Sequence, residues 1–151
     1  GFLAEQGCLQ NVDPVAWERV LKVNLQGVLA TMRAASRHMK PRRQGRIIVT
    51  SSIAGLRSEA HSGYAYVASK AAVNNVVRQA AIELARRNRD ALCVALHPGT
   101  VDTGLSQPFA KTGLQVRPPD VAAGELLGVI DGLPPGSSGG FFDHRGLTVA
   151  W

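Results

Sequence analysis

Apolar residues along the 151-residue chain recur at two spacings, and the places where the spacing changes mark the elements. Asp13-Pro14 is a helix start, because Asp accepts bonds from orphan backbone N–H groups while Pro suits the first helical position. Trp17, Leu21, Val28, Met32, Ala35 and Met39 then recur at helical spacing, and Pro41 is expected to stop the pattern. Asn24 interrupts this stripe on its apolar side, where an amide is costly without partners. After a break at Gln44-Gly45, Arg46-Ile47-Ile48-Val49-Thr50 reads as a short strand covered on both faces, ending in Ser51-Ser52. A second, Ala-rich helix is predicted from Tyr64 to Arg87, with Tyr66, Lys70, Val73, Val77 and Leu84 along one side. Residues 91–96 form a second buried-type strand, closed by His97-Pro98-Gly99. Residues 106–119 read as an irregular loop longer than ordinary connectors, hence a candidate lid or binding loop. Pro118-Pro119-Asp120 starts a third helix that ends at Gly132, residues 134–138 are a linker, and residues 140–143 are a final edge strand.

Helices alternating with buried strands predict an α/β protein with a parallel sheet and helices on its faces. In such sheets ligands sit beyond the carboxyl ends of the strands, so the segments from Ser51 and from His97 are the ones expected to carry function.

Composition narrows the class. Apolar residues at 45% and charged residues at 19% are those of a globular domain, and two cysteines, Cys8 and Cys93, are too few for a disulfide scaffold or a zinc site. Cys93 stands in an apolar run and reads as a small buried hydrophobe. The net charge of +6 invites a polyanion partner, but its basic residues fall in short groups (Lys40, Arg42, Arg43 and Arg46; then Arg86, Arg87 and Arg89) read as helix ends, where cations complement the macrodipole. No aromatic residues are interleaved with them as a base-stacking surface requires, so nucleic acid is not expected as a partner. No apolar run approaches the roughly 18 to 20 residues that span a bilayer, and Gly1-Phe2-Leu3-Ala4-Glu5 lacks the character of a signal peptide. No membrane association and a cytoplasmic location are expected.

Tyr66 and Lys70 stand four positions apart on one helix, about 40° apart around its axis and one turn along it. A cation beside a phenol favours the phenolate. Bringing appreciable phenolate near neutral pH requires lowering a pKa of about 10 by roughly 2 to 3 units, or about 3 to 4 kcal/mol, which several nearby positive charges in a partly dry site can supply. Taken alone, each candidate has a structural explanation: Asn24 a core amide, Ser52 a turn residue, Tyr66 a packed aromatic, Lys70 a solvated helix residue and Thr103 a cap. Their ordered placement after successive strands is what those explanations leave out. His97, preceding Pro98 at a strand end, is read as structural, and no Gly-x-Ser-x-Gly elbow surrounds Ser52 as a serine hydrolase requires.

Four motifs in order carry a resemblance: Val23-Asn24-Leu25-Gln26-Gly27, Ser51-Ser52-Ile53-Ala54-Gly55, Tyr66-Val67-Ala68-Ser69-Lys70, and Pro98-Gly99-Thr100-Val101-Asp102-Thr103. With them, nearly the whole chain resembles the short-chain dehydrogenase/reductase family, whose fold is a Rossmann-like doubly wound parallel sheet. The tail, Ser138-Gly139-Gly140-Phe141-Phe142-Asp143 with Trp151 as a natural C-terminus, is similar to the C-factor and sniffer-like branch, which includes proteins discussed as carbonyl reductases and as cell-signalling factors.

The resemblance implies an NAD(P)-dependent oxidoreductase acting on a carbonyl or secondary alcohol. Tyr66 would be the general acid and base, Ser52 would hold the substrate oxygen, and Lys70 would bind the nicotinamide ribose and lower the Tyr66 pKa. Asn24 would hold a water that relays protons to Lys70, and Pro98, Gly99, Val101 and Thr103 would hold the nicotinamide, Val101 and Thr103 at its carboxamide. A homo-oligomer formed through the helices bearing Asn24 and Tyr66 is also implied.

Two departures stand out. Ser52 and Tyr66 are fourteen positions apart, one more than is common, so the segment with Arg57, Glu59 and His61 is expected to bulge, and Ser51 is the less favoured alternative. No strand is followed by the family's Gly-rich cofactor turn, and Gly1 looks like the end of an Asn-Asn-Ala-Gly turn. Residues 1–151 are therefore expected to be the C-terminal, catalytic half of one such domain, without the N-terminal cofactor-binding βαβ units. The alternative function is a non-catalytic signalling or partner-binding protein on a dehydrogenase-like scaffold.

Overall fold

The computed structural model describes residues 9–57, 62–87, 90–107 and 113–151. Gly1, Cys8, Glu59, His61, Arg89 and the middle of the expected lid lie outside the described residues.

A first helix α1 (Pro14–Leu21) is capped by Asp13, whose carboxylate accepts from the backbone N–H groups of Val15 and Ala16 at 3.0 and 3.2 Å. It runs through a π-helical turn (Lys22–Gln26) into α2 (Gly27–Arg42). The π turn corrects the predicted stripe. A π turn holds one residue more than an α turn, so the apolar face slips by about 100° across it. Before it the fully buried residue is Val20 rather than Trp17 or Leu21; beyond it Met32 and Met39 are buried as expected. Pro41 also fails to stop the helix. It sits in the last turn, and the chain leaves the helix at Arg43, which takes the left-handed conformation (φ 53°).

Strands β1 (Gln44–Thr50), β2 (Asp90–His97) and β5 (Phe141–Asp143) form a parallel sheet in the order β1-β2-β5, with Ile47 opposite Cys93 and Leu96 opposite Phe142. Helix α3 (Tyr64–Arg87) occupies its predicted range and packs against β2, while α2 packs against β1. Strand alternation divides the sheet. Ile47 and Val49 of β1 and Ala91, Cys93 and Ala95 of β2 face a core completed by Met32, Met39, Val73, Val77 and Ala81. On the opposite face Val94 and Leu96 are fully buried, whereas Ile48 is half-covered. Cys93 is the buried hydrophobe expected, and burial pushes its thiol up to about 11.

Helix α4 (Pro119–Gly132) begins at the predicted prolines. Arg46 lies on β1 as the strand reading has it, and the helix end it complements is not that of its neighbouring helix: it donates from Nη1 to the Ile130 carbonyl at 2.7 Å, in the last turn of α4. It complements a helix terminus, but a distant one. The loop expected over residues 106–119 contains a strand, β4 (Val116–Arg117), paired in parallel with β3 (Thr100–Val101). Trp151 stacks on Phe141 with ring centroids 5.3 Å apart and donates from Nε1 to the Gly139 carbonyl at 2.9 Å. Among the described residues no helix is long and apolar enough to cross a membrane.

Candidate functional site

The carboxyl end of β1 delivers Ser51 and Ser52, and that of β2 delivers His97, Pro98 and Gly99, so both predicted segments open on the same end of the sheet. Ser52 caps a short 3₁₀ turn (Ile53–Gly55), its Oγ accepting from the Ala54 N–H at 3.1 Å. That turn lies against α3. A Cβ at Gly55 would fall 2.6 Å from the Lys70 carbonyl carbon and 2.7 Å from its oxygen, so only glycine lets the Ser52 turn approach the helix that carries Tyr66 and Lys70.

Lys70 is buried, with 6% of its surface exposed. Its Nζ donates to the Thr50 carbonyl at 3.1 Å, the last residue of β1, and stands 5.6 Å from the centroid of the half-buried Tyr66 ring. The ammonium is thus held between the strand end and the phenol, and burial pulls its pKa below the ordinary lysine value. An ammonium in such a place serves stability poorly. Lys70→Met is expected to unfold at a temperature no lower than the parent's at pH 7. The burial penalty is complete below the native pKa of Lys70 and fades as pH rises towards 10.5, the unperturbed value. Denaturation curves across that range should therefore show any advantage of the Met variant narrowing.

Asn24 lies in the middle of the π turn with 2% exposure, and its Nδ2 donates to Ser69 Oγ at 3.2 Å. Ser69 Oγ donates to the Tyr66 carbonyl at 2.7 Å. The amide that looked misplaced on an apolar face is therefore hydrogen-bonded into the helix bearing Tyr66 and Lys70. A π turn at that point places it there, in keeping with the occurrence of such turns at functional sites.

Among the residues singled out beyond β2, Gly99 takes a left-handed conformation (φ 69°), Val101 is half-buried in β3, and Thr103 is exposed in a turn. Ser106 builds that turn: its Oγ donates to the Val101 carbonyl at 2.6 Å and accepts from the Thr103 N–H at 3.2 Å. A cavity of about 370 Å³ opens at the Gly99 turn, lined by Ile53, His97, Gly99, Thr100, Arg117 and His144 among others. His97, read as structural, faces this space. Burial, reinforced by His144 and the arginines nearby, pushes its imidazole down to about 4, so it is neutral at pH 7.

Three residues escaped the sequence reading. Asn74, one turn beyond Lys70, is buried, and its Oδ1 accepts from the Ser51 hydroxyl, anchoring the serine pair to α3. Ser106 and Arg117 lie in the stretch read as an irregular candidate lid or binding loop. Asn74 had a legible signal, a polar residue between the buried Val73 and Val77; within the loop nothing singled out the other two. Among the described residues no group of His, Cys, Asp and Glu could hold a metal ion.

A family model described as short chain dehydrogenase matches residues 2–113. C-signal of Myxococcus xanthus is 38% identical over 148 residues, covering 95% of this chain and 83% of that protein. An NADPH-bound carbonyl reductase from chicken fatty liver matches the whole chain with a TM-score of 0.83 at 24% identity, and the chain covers 63% of it. A 3-oxoacyl-[acyl-carrier protein] reductase with bound NAD from Brucella melitensis matches 99% of the chain with a TM-score of 0.76 at 27% identity, the chain covering 60% of it. The chain thus spans most of C-signal but about three-fifths of these reductases. A family match over nearly three-quarters of the chain, on a parallel α/β sheet that gathers the predicted residues at its carboxyl end, establishes that the chain belongs to the short-chain dehydrogenase family.

Proposed function

We propose that the protein transfers a hydride between a nicotinamide cofactor, NAD or NADP, and a carbonyl compound or secondary alcohol. The observation that carries this reading is the buried ammonium of Lys70, tied to Thr50 at the end of β1 and facing the Tyr66 ring at 5.6 Å. A positive charge facing the ring favours the phenolate, the direction that proton transfer near neutral pH demands.

The residues present fit one end of the cofactor. Lys70 and Tyr66 would hold the ribose hydroxyls, while Pro98, Gly99, Val101 and Thr103, in the loop turned at Gly99, would hold the nicotinamide and its carboxamide. The nicotinamide would supply or accept the hydride. In reduction, Tyr66 Oη gives its proton to the carbonyl oxygen as Ser52 Oγ donates a hydrogen bond to the same oxygen. In oxidation the phenolate takes that proton back. Lys70 restores the proton through a water held at Asn24. We place residues 1–151 as the catalytic half of a Rossmann-like domain, because no Gly-rich turn for the pyrophosphate occurs in them.

The full-length protein should consume NADH or NADPH in the presence of a carbonyl compound; no consumption across aldehydes, ketones and diketones with either cofactor would refute the reading. The protein is further proposed to work in the cytoplasm as a homo-oligomer, without nucleic-acid or membrane partners.

C-signal favours a second reading, in which the scaffold signals or binds a partner without catalysis, because that relative matches nearly the whole chain. Signalling retained in a Tyr66→Phe, Lys70→Ala double variant supports it; loss with folding intact counts against it.

A further inference from the structure

The guanidinium of Arg117 is buried, at 8% exposure for the residue, and the chemistry proposed above does not use it. Burying a guanidinium is expensive unless its donors are engaged, so its partners point to its task. Nη2 donates to the Pro98 carbonyl at 2.6 Å, and Nε lies 3.1 Å from Glu125 Oε2 on α4. The Arg117 carbonyl accepts from the Asp102 N–H at 2.9 Å, and β4 places Arg117 opposite Val101. One residue therefore grips the segment 98–102 at both ends, by side chain before Gly99 and by backbone after Val101.

Gly99 shows how closely the grip fits. A Cβ at Gly99 would lie 1.9 Å from Arg117 Nη2 and 3.0 Å from the His144 ring, and its φ of 69° already disfavours any other residue. The turn is shaped around the guanidinium, and the guanidinium is steadied by Glu125.

We propose that Arg117, oriented by Glu125, is a positioning residue that fixes the Pro98–Val101 segment in the conformation that receives the nicotinamide end of the cofactor. This deepens the dehydrogenase reading and rests on it. In this role Arg117 acts through the loop, by its bonds to the Pro98 carbonyl and from the Asp102 N–H. Because a loop that must be ordered at binding weakens affinity, loss of the brace appears in cofactor binding before it appears in the chemical step.

The test uses the full-length protein with Arg117→Met, which keeps an unbranched apolar stem without donors, and Glu125→Gln. Arg117→Met should raise the KM for NADH or NADPH about tenfold or more, leave the KM for the carbonyl substrate within about twofold, and speed amide exchange at Asp102 about tenfold. Glu125→Gln, at a partly exposed position, should raise the cofactor KM about two- to fivefold, and it keeps the proposal testable if Arg117→Met fails to fold. Glu125 Oε2 also lies 3.6 Å from His144 Nδ1, so in the double variant the effect should exceed that of Arg117→Met by less than the full effect of Glu125→Gln alone. A parent that binds cofactor while the folded variants bind it equally well overturns the brace. A parent that binds neither NADH nor NADPH instead refutes the dehydrogenase reading, and unchanged Asp102 exchange in Arg117→Met would then remove the brace as well.

Discussion

Tyr66→Phe in the full-length protein is expected to lower kcat for carbonyl reduction by about a thousandfold, inside the 10²–10⁴ range for losing a general acid. The substitution removes one oxygen and keeps the ring that lies over Lys70, so folding stability should stay within about 1 kcal/mol and cofactor affinity within a few-fold. Because the proton is transferred in the transition state, kcat and kcat/KM for the carbonyl should fall together. Single-turnover oxidation of bound NAD(P)H reads the step directly. An undiminished rate would remove Tyr66 from the chemistry and leave Lys70 as a structural oddity.

Gly55→Ala should be the most damaging conservative change outside the reacting residues. The added Cβ would meet backbone atoms of Lys70 and Ala71 at 2.6 to 2.8 Å, and backbone cannot rotate away as a side chain can. Either the Ser52 turn or α3 must move. Overpacking of this kind costs about 1–3 kcal/mol, and misplacing a substrate-holding group by an ångström costs rate on the order of 10²-fold. Urea unfolding and kcat measured on the same preparation should both fall. A variant of parental stability and rate would show that the turn does not need its close approach.

How far the sequence foretold this arrangement varied with the kind of signal. Helix α3 was legible to its ends because an Ala-rich run keeps Tyr66, Val73, Val77 and Leu84 along one side, with Lys70 among them. The parallel sheet was legible because residues 46–50 and 91–96 are short apolar runs separated by a helix. The π turn was not. It leaves no mark in composition, and only Asn24, polar on an apolar face, betrayed that something unusual occupied that turn. The pairing of β3 with β4 was equally hidden, since two-residue strands carry no period, and with it went the role of Arg117. Pro41 misled because a proline so near the C-terminus takes only one N–H from the helical ladder, the one facing the Arg37 carbonyl, and the helix runs just one residue beyond it. Of the candidate site, the residues proposed to supply chemistry stood out by their order in four motifs. The residues that hold them, Asn74, Ser106 and Arg117, act through contacts across the fold that spacing does not encode.

The most direct measurement follows the hydride. The full-length protein is incubated with NADPH or NADH deuterated at one face of nicotinamide C4, together with a carbonyl compound, and the alcohol is analysed by mass spectrometry. The account predicts one deuterium on the former carbonyl carbon from one cofactor face only, with transfer suppressed about a thousandfold in Tyr66→Phe. An alcohol without deuterium from either face, or transfer that proceeds equally well without the Tyr66 hydroxyl, would contradict it.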